Sequence, residues 1–148
     1  MTASREPARK AFAALLSTAL VGAGLPAQAV YDHLVSDFAG ASPVVVVTSG
    51  PIQRRIESFG NCYHIRLTLL VYVFVLYADG SGTWDAADAE DAADTIEALI
   101  AETVITHQHS DEWDNAAYDD TPTEPTVVEI GGLGYRRELL KVNMEITE

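Results

Sequence analysis

The chain has 148 residues, 48% hydrophobic and 21% charged, which reads most simply as one domain of globular and not disordered type. Its formal net charge of −13 excludes broad binding to a nucleic-acid backbone, where affinity comes from neutralising phosphates with Lys and Arg. Cys62 is the sole cysteine, so there is no intrachain disulfide and no thiolate metal cluster, which fits a reducing compartment.

The opening stretch, RKAFAALLSTALVGAGLPAQAV (9–30), admits two readings. Two basic residues, an apolar run and Ala27-Gln28-Ala29 match the three regions of an export signal. Yet Phe12, Leu15, Leu16, Ala19 and Leu20 fall at i, i+3, i+4, i+7 and i+8, one apolar stripe on a helix from Ser4 to about Val21. Lys10, Ala13, Ser17 and Thr18 would form the outer face. Ser4 can cap, Pro7 sits in the first turn, Glu6 precedes Lys10 by four, and Gly22 to Pro26 stop the helix. A signal has no need of one-sidedness and a core helix does, so we read a retained helix.

AVYDHLVSDFAGASP is loop-like, with apolar contacts expected at Val30, Tyr31, Leu34 and Phe38. PVVVVTSG (43–50) is a β-branched run closed by turn residues, a strand, and PIQRRIESFGN continues as a hairpin arm or an exposed loop. YHIRLTLLVYVFVLY (63–77) becomes apolar on both faces, which marks a central strand; it is too short and too polar for a membrane span. ADGSGT is a turn. WDAADAEDAADTIEALIAETV (84–104) is a helix with acids at its positive N-terminal end and Ile96, Leu99, Ile100 and Val104 as its buried stripe.

Residues 107–126 read as a long acidic loop, and TVVEIGG (126–132) as a strand ending in a glycine turn. YRRELLKVNMEI (135–146) closes the chain with Leu140, Val142, Met144 and Ile146 inward and Lys141, Asn143 and Glu145 outward. The fold class expected is α+β: an antiparallel (mixed) sheet of about four strands, two helices packed on one face, and the long loop.

Charge is unevenly distributed along this order. Residues 1–78 hold six Lys/Arg against four acids, and residues 79–148 hold three against eighteen, so the halves carry +2 and −15. Arg54-Arg55 and Arg136-Arg137 are paired charges in expected turns, candidates for meeting the acidic half of a neighbouring copy.

The strongest site signal is TVITHQHSDEW (103–113), whose His107, His109 and Asp111 resemble the metal-binding loop of the metallo-β-lactamase family. The rest of that pattern fails: Glu112 stands where a histidine should follow, and no histidine occurs after His109. These three remain the only weak metal candidates, and the default is a solvated loop. In DGSGTWD (79–85), Trp84 occupies the place of the obligatory glycine of a calcium loop, so a turn is expected. Cys62 beside a central strand reads as core packing, and Trp84 and Trp113 as core anchors flanking the second helix. The glycines of GGLGY lie between strands and form no phosphate loop. No catalytic constellation and no cofactor motif emerges, and no enzyme is expected.

The ordered series resembles the tail terminator (tail-completion) proteins of long-tailed, non-contractile bacteriophages, particularly those infecting actinobacteria. It is carried by the opening helix, AVYDHLVSDFAGASPVVVVTSG, the long apolar strand, TWDAADAEDAADTIEALIAE and the closing IGGLGYRRELLKVNMEI. The resemblance implies a small structural subunit closing a sixfold ring on the tail tube, stopping its polymerisation and presenting a surface to the filled head. Its partners would be itself, the tail tube protein and a head-completion or connector protein, with DNA only as transiting cargo and no membrane. The location implied is the virion neck, after assembly in host cytoplasm. An acidic channel wall would let DNA slide without sticking. Two alternatives stand beside it: a head-completion or connector subunit of the neck, and an exported small acidic binding protein with residues 1–29 as signal peptide.

Overall fold

The structure, a computed structural model, describes residues 4–56, 62–78 and 86–147. Its elements in chain order are α1 (Arg5–Leu20), β1 (Ala29–Tyr31), β2 (Val44–Ile56), β3 (Tyr63–Ala78), α2 (Ala86–Thr106), β4 (Asn115–Tyr118), β5 (Thr126–Ile130) and β6 (Leu133–Thr147). Trp84 and the 79–85 turn lie outside the described residues. The expected α+β class holds, with six strands in place of about four.

The sheet runs β1-β2-β3-β6-β4, and β5 pairs with β6 beyond the reach of β4. All pairings are antiparallel except β1 with β2. β3 is the axis, lying between β2 and β6 over most of its length. Residues 71 and 73–76 are buried on both faces, as a central strand requires, and each face has its own cover.

On one face sit both helices. Ala8, Phe12, Leu16 and Leu20 from α1, and Ala89, Ala93, Ile96, Ile100 and Val104 from α2, pack onto Val45, Val47, Leu69, Val71, Val73, Val142 and Met144. Ala13, expected on the outer face of α1, is buried, because the stripe is wider than a strict i, i+3, i+4 count allows. Ser4 takes an extended N-cap conformation without a side-chain capping bond. The segment that resembles an export signal is built into the core, and cleavage after Ala29 would strip Phe12, Leu16 and Leu20 from it.

The other face is covered at one end by the segment between β1 and β2. Phe38 stands 5.0 Å from Phe74 and 5.5 Å from Tyr135 between ring centroids, and stacks on Tyr31. The Tyr135 hydroxyl donates to the Ala41 carbonyl, and the buried Ser42 hydroxyl accepts the Leu76 amide. Leu34 is not part of this cluster: it is 72% exposed, and Val35 packs there instead.

Two further expectations are corrected. The 107–126 stretch contains β4, which pairs with residues 142–145 and is folded back by Trp113. That indole is buried edge-on against Phe12 at 6.2 Å and donates to the His107 carbonyl. Cys62 is exposed, since it precedes the point where the buried register of β3 begins. The β5–β6 turn does rest on glycine: Gly131 and Gly132 have φ of +59° and +80°, the two positive values of a tight hairpin.

Phe12 joins α1 to the Trp113 loop, so Phe12→Ala leaves a cavity shared by both. We expect a loss of about 3–5 kcal/mol in unfolding free energy, read from denaturant midpoints. A loss under about 1 kcal/mol would mean that α1 is not part of the cooperative core.

Candidate functional site

His107, His109 and Asp111 are not drawn together around a common point. The Nδ1 atoms of His107 and His109 lie 3.1 Å and 2.6 Å from the carbonyls of Thr103 and Asp114. Ser110 bonds the Glu112 carboxylate and amide. Among the described residues, no three His, Cys, Asp or Glu side chains group as a metal site would require. This segment ends α2 and aims Trp113 inward, which is a structural task.

The two arginine pairs lie in strands and not in turns, so period-two alternation splits each pair across the sheet. Arg54 shares the helix face with Tyr63, its guanidinium 5.8 Å from the ring centre, while Arg55 registers with His64 on the other face. Arg136 registers with Val75 on the helix face, and Arg137 lies 5.5 Å over Tyr72 on the opposite one. The pairs therefore cannot act as pairs.

Arg54 instead joins two arginines from α1. At the β2 edge a cleft of 410 Å³ is lined by Ser4, Arg5, Arg9, Ser49 and Arg54, with Glu6 at its rim. Arg5 Nη1 donates to the Gly50 carbonyl at 2.6 Å, and Arg9 Nη1 to the Ser49 hydroxyl at 2.9 Å. Arg9 Nε is buried without a hydrogen-bond partner. The N-terminus of α1 adds its own positive end, where cations are disfavoured and anions favoured. Glu6 is spoken for by Lys10 at 2.8 Å, and that contact holds its carboxyl below the usual range.

At the opposite edge the sign reverses. A cleft of 330 Å³ beside β6 gathers Asp94 and Glu97 from α2, Asp119 and Asp120 after β4, and Glu138 from β6, with Lys141 the one cation among its described lining residues. It opens where β4 stops pairing at Val142 and β5 starts at Arg137. The Tyr118 hydroxyl donates to Glu97, and burial together with that carboxylate pushes the phenol well above its ordinary value. Burial also raises the Glu138 carboxyl; Arg136 pulls it down, and Glu97 and Asp94 push it up again. Glu138 Oε2 and, two residues before it, Arg136 Nη1 are buried without hydrogen-bond partners, as is Arg9 Nε at the other edge.

A larger depression of 510 Å³ on the open sheet face carries Arg66 and Glu145, which satisfy each other at 3.3 Å. No helix among the described residues is long and apolar enough to cross a membrane. No protein-family model matches the sequence, and no curated protein does.

Arg5, Arg9, Asp94, Glu97 and Glu138 were missed by sequence reasoning. A signal existed for the first two: cations four apart at the wrong end of a helix dipole. For the acids there was none beyond the overall excess.

Because Glu138 holds its proton more tightly when folded, its ionised form opposes folding at pH values above the raised pKa, and the penalty fades below the ordinary glutamate value. Glu138→Gln should therefore raise the melting temperature near about pH 7 and change it little near about pH 4. Thermal melts of dilute protein at the two pH values check this.

Proposed function

We propose that the protein is a structural ring subunit of a long-tailed, non-contractile bacteriophage, closing the tail tube, ending its polymerisation and offering the head-joining surface. The reading draws on the ordered resemblance of the whole chain to tail terminator proteins. The observation that carries it is the placement of two unlike clefts, basic and acidic, at opposite edges of one sheet. Unlike patches on one subunit make head-to-tail contacts, and such contacts close into rings when the rotation permits.

The other partners follow from that role: the tail tube protein on one ring surface and a head-completion or connector protein on the other, in the virion neck. The exposed acids of α2 outside the acidic cleft, among them Glu90, Asp91 and Glu102, are suited to a channel wall. Facing transiting DNA, they would repel phosphates and keep the strand from adhering.

Deleting the coding sequence from the phage genome should give tubes of uncontrolled length. Tubes of normal length left without heads would instead assign the connector role. Mass measurement of the protein bound to purified tail tubes should return six copies per tube end, and protein that never associates with tubes would overturn the reading.

A further inference from the structure

The ring reading leaves open which surfaces meet, and the inference here rests on it. We propose that the basic cleft of Arg5, Arg9 and Arg54 seats the acidic cleft of a second copy, with Arg54 entering between Asp94, Asp120 and Glu138. The occupant of each cleft is thus another molecule of this chain.

Three features converge on this pairing. The first is charge: among the described residues, three guanidiniums, a helix N-terminus and one carboxylate, Glu6, itself held by Lys10, stand at the β2 edge, against five carboxylates and one lysine at the β6 edge. The second is unmet hydrogen bonding. Among the described residues, Arg9 Nε at one edge, and Arg136 Nη1 and Glu138 Oε2 at the other, are buried without a hydrogen-bond partner. Leaving such atoms unpaired is costly, and these side chains gain partners by turning outward toward a second copy. The third is apolar surface beside each cleft: Leu34 and Ile56 are exposed at the basic edge, and Val127, opposite Arg136 on β5, at the acidic edge.

The open geometry suits insertion of a long side chain. Arg54 is exposed on the helix face near the end of β2, and the acidic cleft opens through a gap between β4 and β5. A guanidinium there faces several carboxylates, Glu138 among them, and can make charge-assisted hydrogen bonds to more than one.

The test is a charge exchange followed by mixing. Arg54→Glu and Asp120→Arg alter exposed side chains, one at each edge, and each alone should weaken self-association on the order of a hundredfold in sedimentation or mass photometry. Mixed in equal amounts, the two variants should assemble again, because every contact then meets either its native or its doubly reversed partner. Restored assembly also shows that both variants are folded. Rising salt should dissociate the wild type and the mixture alike.

Reversals that leave the wild-type assembly intact would overturn this seating while the ring itself stood. A mixture that fails to form even a one-to-one dimer would overturn the seating, because the intact basic cleft of one variant would then refuse the intact acidic cleft of the other. Wild-type protein that stays monomeric at every accessible concentration would overturn the self-contact, leaving stoichiometry on tubes to judge the ring.

Discussion

The structure depends on covering a strand that is apolar on both sides. From Val71 to Leu76, β3 offers side chains above and below the sheet, and neither face can be left to water. Two different solutions are used. Amphipathic helices shield one side, and a loop carrying Phe38 shields part of the other. Both covers must be ordered for β3 to be buried, so α1 is an integral part of the body and not an appendage to it.

Once the faces are occupied, distinctive chemistry is left to the edges. Strand order across the sheet largely follows order along the chain, from β1 and β2 on one side to β6 and β4 on the other. A lopsided distribution of charge in the sequence is thereby converted into a lopsided distribution in space. The basic residues of the first half gather around α1 and β2, and the acids of the second half around α2 and β6. An interleaved topology would have blended the two and left a molecule with no electrical direction.

Much of this was legible in the residues. The apolar stripe of the first helix, the doubly buried strand and the alternation of Leu140, Val142 and Met144 each follow from one period and one kind of burial. Pairing across sequence distance was harder to read. β4 is four residues in a polar stretch, NAAY, and becomes a strand only because Trp113 anchors the chain and β6 has a free side to bond. The arginine pairs were misjudged for a related reason: a turn would present both members together, whereas the extended arms place them back to back. Leu34 and Cys62 show the limit of reading hydrophobicity as burial, since each lies just outside the register that would carry it inward.

The way β6 is finished on its outer side has a consequence of its own. Between β4 and β5, the Thr123 hydroxyl bonds the Leu139 carbonyl and the Asp119 amide bonds the Lys141 carbonyl, so the row of main-chain acceptors is stoppered by local loop atoms. What remains for a foreign strand on that side is the outer edge of β4, four residues long, or of β5, five, with no ladder running across the gap between them. Short, interrupted edges of this kind leave side chains to supply most of what that flank can offer a neighbour.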